Sequence, residues 1–400
     1  MPQNWKKIIL LLITAASLAS VLLTYRMGHP SRLYFDEIYY VPAARALVSG
    51  NPDPNWVAPP LGKAFIGEAI RIFGNTSFAW RLPSVLAALL GLWFFFLLTI
   101  KIFSQETKPS YLFPELTAFL ASLFFLLDGI TYVQSRIDML DMMMTCFLIG
   151  AFYFFLTERY FICSLFLGLS FACKWTGAFS FLFFLPMIPC AEGIKKYLRI
   201  VLEIYFPAVL LYSLIFIFLG FGYKLFLFGG MLSIIKHFIL SQIKMVNFYL
   251  KPLGYQPYEA SWWKCLLLIR PIWYFYQFHS NQMNGIVMLP NPFLWWPSLL
   301  SALFLFFRFS DRTARIILFG ILWLILPWAL SSRQGFMYYL LPISPFMVLA
   351  LIYWIRGSKT AVWAALAASL LGFFLYFPLY SNLPISYPYF WSLIWLKTWL

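Results

Sequence analysis

The chain has 400 residues, of which 62% are hydrophobic and only 11% charged, and this composition excludes a string of ordinary soluble domains. The formal net charge of +15 does not imply nucleic acid, because most basic residues sit in short connections between apolar runs, where membrane topology accounts for them. Aromatic residues make up 22% of the chain, and many of them must face lipid or the membrane interfaces.

The first apolar run covers about 8–25, after Lys6 and Lys7. It resembles a signal peptide, but no small-residue cleavage pattern follows, so a retained first helix is expected. Further runs at 81–100, 113–131, 139–157, 160–173, 176–190, 200–220, 293–307, 315–330, 338–355 and 361–378 predict an all-α polytopic membrane protein with about eleven transmembrane helices. No long-period repeat, low-complexity tract or separate hydrophilic domain interrupts them, so a single unit over 1–400 is expected.

Every second connection is basic. Lys101 and Lys108, then Arg159, then Lys195, Lys196 and Arg199, then Arg308, Arg312 and Arg315, and finally Arg356 and Lys359 mark the inner side. A long first loop at 27–80 and a segment at 221–292 then fall on the outer side. In that segment His237, Lys244 and Lys251 recur every seven residues within the apolar stretch Lys224 to Lys251. Seven residues return to nearly the same helical face, which suggests a helix lying in the interface. Such a face suits lipid phosphates and ordinary snorkelling anchors equally.

Asp36-Glu37 heads the first outer loop, in a chain with only 14 acidic residues. An acidic pair at a membrane surface can accept a proton, hold a metal or cation, or simply be solvated. Downstream, Pro59 and Pro60 fix an extended backbone and Lys63 supplies a cation. Arg81 stands at the outer end of the second run, as a membrane-end anchor or a functional group. Asp128, Arg136, Asp138 and Asp141 crowd the outer connection between the third and fourth runs. Charges so close to hydrocarbon are costly unless they pair or face a wet cavity. Asp138 and Asp141 are expected on one helical face, with a salt bridge from Arg136 to either as the structural alternative. Lys174, Arg270 and Arg333 add cations from three further outer connections, and their convergence calls for an anion, most naturally a lipid phosphate. The five cysteines show no CxxC and no ligand-spaced His/Cys cluster.

In order, FDEIYYVPAARAL, PPLGK, AWRLPSVLAALLG, VQSRIDMLD, LSFACKWTGAF, LLLIRPIWY, NPFLWW and RQGFMYYLLPISPF resemble the protein O-mannosyltransferase family, of bacterial type, over nearly the whole chain. The resemblance implies the multi-span GT-C fold. It also implies inverting transfer of mannose, or another sugar, from a polyprenyl-phosphate carrier to Ser/Thr hydroxyls of exported proteins, on the outer face of the inner membrane. Asp36 matches the family's catalytic base, with Glu37 assisting. Lys174, Arg136 and Arg81, then Arg270 and Arg333, are the candidates for the donor phosphate, and Lys63, Asp138 and Asp141 for support. The lipid-linked sugar is the co-substrate. A divalent metal is possible in related GT-C enzymes, but none is expected to be required. The family's HPPLGK reads Ala58-Pro59-Pro60 here, and that departure keeps a glycolipid acceptor such as lipid A in view. A lipid flippase, which would favour repeated halves and mid-membrane charges, and a silent scaffold fit less well.

Overall fold

The computed structural model describes residues 2–104, 110–188, 193–220, 230–251, 256–331 and 334–400. Helix α1 spans Pro2–Thr24. The long loop after α1 carries two short helices, α2 (Glu37–Val48) and α3 (Pro60–Phe73), before the long apolar α4 (Ser77–Phe103). Pro60 opens α3 because a first-turn residue needs no N–H partner, and Thr76 caps α4 by accepting from the Ala79 N–H. There follow α5 (Pro114–Leu126), α6 (Gly129–Gln134), α7 (Asp141–Leu156), α8 (Tyr160–Cys173), a 3₁₀ turn at Trp175–Ser180, α9 (Phe181–Met187) and α10 (Ile194–Gly220). Next come α11 (Met231–Leu250) and α12 (Trp262–Leu266). The chain ends with α13 (Pro292–Leu305), α14 (Arg312–Leu330), α15 (Ser344–Ile355), α16 (Lys359–Tyr380) and α17 (Tyr387–Leu393).

Among the described residues, five helical stretches are long and apolar enough to cross a membrane: α4, α10, α14, Met337–Ile355 and α16. The other expected spans are apolar helices of 10–17 residues, so length and composition support five crossings directly. α4 packs against α5 and α7, α7 against α8, and α8 against α10. Gly168 permits the last of these contacts, since a Cβ there would lie 2.8 Å from the Ala208 carbonyl oxygen.

A small sheet accompanies the helices. Strands β1 (Ile272–His279), β2 (Gln282–Met288) and β3 (Ile385–Ser386) form a small antiparallel sheet in the order β1-β2-β3. Aromatic and β-branched residues dominate the inner ends of β1 and β2, and His279 pairs with Gln282 across a two-residue turn. A short apolar run of this kind is ambiguous between strand and interfacial helix until its pairing partner is known. The motif NPFLWW proves to be a helix start: Asn291 accepts from the Phe293 N–H and donates to the carbonyls of Leu127 and Ser369, fastening α13 to α5 and α16.

The two loop helices, α2 and α3, pack against each other. Gly67 of α3 lies so close to α2 that a Cβ would sit 2.5 Å from Val48 Cγ1 and 2.7 Å from the Ala44 carbonyl oxygen. Because one neighbour is backbone, Gly67→Ala is expected to cost about 1–3 kcal/mol through overpacking. Thermal unfolding of the detergent-solubilised protein checks this, as a lowered midpoint relative to wild type.

Candidate active site

Asp36 is the residue just before α2, and its own carboxylate makes no hydrogen bond or ion pair among the described residues. Its position is set by its neighbours. Phe35 adopts φ of +50°, a left-handed conformation uncommon for an aromatic residue, and its ring lies 4.3 Å from that of Tyr274 on β1. Glu37, on the other side, is wholly buried. It forms a two-pronged ion pair with Arg81, Nε to Oε1 at 2.7 Å and Nη2 to Oε2 at 3.0 Å. It also accepts the backbone N–H groups of Tyr34 and Asp138.

Arg81 is equally buried, and its remaining capacity goes to the carbonyls of Met27 and Arg32. The structure therefore places Glu37 and Arg81, expected as catalytic assistant and phosphate ligand, in one closed ion pair. Neither presents a free face to a substrate. Arg136 is also expected at the phosphate, but it donates to the carbonyls of Leu23, Tyr25 and Tyr380 and to Ser381 Oγ, and stacks 4.7 Å from the Tyr132 ring. It ties the end of α1 to the end of α16, and the salt bridge to Asp138 or Asp141 is not formed.

The expected shared face for Asp138 and Asp141 also fails. α7 begins at Asp141, and Asp138 lies in the irregular turn before it. Asp138 is fully buried with both carboxylate oxygens unpaired. Burial, reinforced by Glu37, pushes its carboxyl well above the usual range. Asp141 instead binds Lys174, whose ammonium lies 2.7 and 2.8 Å from its two oxygens. Lys174 also faces the rings of Tyr338 and Tyr339 at 5.1 and 5.6 Å. The Lys174–Asp141 pair is close enough to Asp36 to act on its charge. Burial pushes the Asp36 carboxyl up to about 6, Lys174 pulls it down and Asp141 pushes it up.

Lys63 is buried and donates to Asp53 and to the carbonyls of Asn55 and Ala58. Its role is to close the loop that carries Ala58 rather than to meet a ligand. Arg270 is half-buried and stacks 6.0 Å from Tyr258, on a smaller cavity it shares with Lys264 and Glu259. Arg333 lies outside the described residues, as do Lys108, Cys190 and Lys224. The four described cysteines are free and buried. Among the described residues no three His, Cys, Asp or Glu side chains form a group that could hold a metal. Glu37 and Asp141 are already bound to Arg81 and Lys174.

Tyr34, Tyr40, Tyr274 and Tyr338 wall the site and are all buried. They escape a sequence reading because tyrosines are numerous here, 24 in the chain. Burial pushes the Tyr40 and Tyr274 phenols upward and keeps them as O–H groups. Gln134 donates to the Tyr274 hydroxyl at 2.8 Å.

No family model matches the sequence. The chain is 24% identical to the polyprenol-phosphate-mannose–protein mannosyltransferase of Corynebacterium glutamicum, over 82% of this chain and 78% of that one. Its structure is similar to the protein O-mannosyltransferase Pmt1–Pmt2 complex of S. cerevisiae bound to the sugar donor, with a TM-score of 0.80 at 14% identity, covering 98% of this chain and 93% of that one. It is also similar to ArnT from Cupriavidus metallidurans bound to undecaprenyl phosphate, with a TM-score of 0.58 at 16% identity, covering 93% and 63%. The protein is thus a multi-pass membrane protein with the GT-C glycosyltransferase fold. Its curated homologues are polyprenol-phosphate-mannose–protein mannosyltransferases.

Arg81→Leu would leave the Glu37 carboxylate buried without its partner, and breaking such a pair costs about 3–5 kcal/mol. Thermal unfolding should show a large drop in midpoint. A midpoint equal to wild type would mean that the pair does not hold the loop.

Proposed function

We propose that the protein transfers mannose from a polyprenyl-phosphate carrier to Ser or Thr hydroxyls of exported proteins, on the outer face of the inner membrane. The observation that carries this function is the isolation of Asp36. It is the one carboxylate of the acidic pair without a partner among the described residues, held in place while Glu37 is bound to Arg81. A general base needs such availability and a proton affinity near the operating pH.

In the transfer, the acceptor oxygen attacks the anomeric carbon from the face opposite the phosphate. The bond from that carbon to the phosphate oxygen breaks, and polyprenyl phosphate leaves with the electron pair. Asp36 takes the hydroxyl proton. The leaving group is already an anion, so cationic stabilisation serves it better than a general acid. Lys174 has two of its N–H bonds on Asp141 and one left to direct at the phosphate. Glu37 and Arg81 act through Asp36 as positioning residues. Arg136 and Lys63 hold the surrounding segments together. A polyprenyl-phosphate donor suits the outer face, where nucleotide sugars are not expected.

Radiolabelled transfer from polyprenyl-phosphate mannose, with a Ser/Thr-rich peptide and extracted membrane lipids as separate acceptors, tests this function. Wild type is expected to label the peptide, and Asp36→Asn to lose about 10²–10⁴-fold in rate. Label confined to the lipids would move the acceptor to a glycolipid, the alternative that Ala58 keeps in view. Full activity in Asp36→Asn would remove Asp36 as the base.

The same assay has a pH signature. Asp36 must be ionised to accept a proton, and its carboxyl is pushed up to about 6. Transfer should therefore be at its plateau above that pH and fall about tenfold per unit below it. A profile flat between about pH 5 and 8 would contradict the assignment.

A further inference from the structure

Arg270 takes no part in the reaction proposed above, and it stands in a group of its own. A cavity of about 340 Å³ is lined by Gln256, Glu259, Ser261, Lys264, Arg270 and Gln334. A larger cavity beside α11, about 710 Å³, has Trp56, Phe216 and Phe248 in its walls, whereas here Ala260 alone lacks a polar side chain. Lys264, Arg270 and Glu259 are half-buried and form no ion pair among the described residues. The Arg270 guanidinium lies 6.0 Å from the Tyr258 ring. Two cations against one acid leave the cavity net positive.

The two cations are carried on one braced turn. The Ile269 N–H donates to the Lys264 carbonyl at 2.9 Å, and the Trp399 indole N–H donates to the Leu268 carbonyl at 2.7 Å. Ala260 and Gly335 exchange two backbone hydrogen bonds of 2.9 Å, and Ser261 Oγ reaches Gln334 Oε1 at 3.4 Å. Charges already oriented in this way bind a ligand without first being ordered. From the cavity wall two segments run to the catalytic centre. Arg270 stands four residues before Tyr274, and Gln334 four before Tyr338. The rings of Tyr274 and Tyr338 lie 4.3 and 6.2 Å from that of Phe35, the residue before Asp36. Four residues of extended chain span at most about 14 Å, so the cavity lies within that reach of the tyrosine wall.

We propose that this cavity binds an acidic side chain of the acceptor polypeptide, about four residues from the Ser or Thr that receives the sugar, with Lys264 and Arg270 as the carboxylate's ligands. The assignment rests on the protein acceptor proposed above and adds a sequence preference to it. An ammonium and a guanidinium on one turn suit a carboxylate, which Arg270 can hold by a forked pair of N–H bonds. Gln256, Ser261 and Gln334 supply donors and acceptors for a peptide backbone. Glu259 disfavours a second negative charge. An extended chain rises about 3.4 Å per residue, so an acceptor hydroxyl at Asp36 brings the fourth residue along to the cavity. A lipid headgroup fits less well, because Ala260 is the one apolar side chain in the wall to meet an acyl chain.

Mannosyl transfer to a pair of synthetic peptides tests the proposal. Each carries one Thr in an Ala/Pro background, with Asp in one and the isosteric Asn in the other at the fourth residue on either side. The full-length protein in neutral-lipid nanodiscs should show a KM about five- to tenfold lower for the Asp peptide, with kcat within about twofold. Lys264→Gln/Arg270→Gln should raise the KM of the Asp peptide to that of the Asn peptide and leave transfer to the Asn peptide unchanged. Lys264→Arg should keep the preference, and Lys264→Glu/Arg270→Glu should reverse it in favour of a Lys peptide. The proposal is overturned if wild type treats the Asp and Asn peptides alike, or if the double Gln variant retains the preference. It is also overturned if wild type retains anionic lipid on purification that the double Gln variant loses, which would make a headgroup the occupant. Peptide binding read by fluorescence anisotropy separates this proposal from the activity it rests on. Tighter binding of the Asp peptide with no mannose transferred would sink the activity and leave the cavity assignment standing, and equal transfer to both peptides would do the reverse.

Discussion

The buried ion pair between Glu37 and Arg81 is the constraint on which the site depends. It joins the start of α2 to the first turns of α4. Arg81 then reaches the carbonyls of Met27 and Arg32, and Glu37 the backbone N–H of Asp138. Segments more than a hundred residues apart in sequence thus meet around two side chains from which water is excluded. Removing two charges from water is costly, and the pair holds only because nearly every lone pair and N–H finds a partner. The return on that arrangement is local: Asp36, one residue earlier, is held without needing a bond to its own carboxylate.

The other charges divide into those that shape the protein and those left for chemistry. Lys63 closes the Asp53–Ala58 loop, and Arg136 laces α1 to α16. Asp141 holds Lys174 beside the tyrosine wall. Asp138 is buried with both carboxylate oxygens unpaired, and burial beside Glu37 pushes its carboxyl well above the usual range. What remains open is Asp36 as a proton acceptor, with Lys174 as the cation acting on it. That separation fits a reaction whose leaving group is already anionic and whose nucleophile must lose a proton.

Much of this was legible in the sequence, and the failures have physical causes. Long apolar runs reveal helices because lipid requires every backbone group to be bonded within the segment. The acidic pair stood out because acids are rare in this chain. What spacing could not reveal was the partner of each charge. Arg81 meets Glu37 across 44 residues, and Arg136 meets carbonyls at helix ends, which leave no trace in residue type. Asp138 and Asp141 read as one helical face only if the helix starts before both, and it starts at the second. The β1–β2 hairpin was hidden among aromatic residues that suit an interface as well as a strand.

One measurement bears most directly on the account, in which a single free carboxylate acts as base while its neighbours are held in ion pairs. It is the anomeric configuration of the glycosylated product, determined by NMR against that of the donor. Direct displacement with Asp36 as base requires inversion. Retention would require a second carboxylate to act as nucleophile, and it would contradict a site in which Glu37 and Asp141 are bound to Arg81 and Lys174.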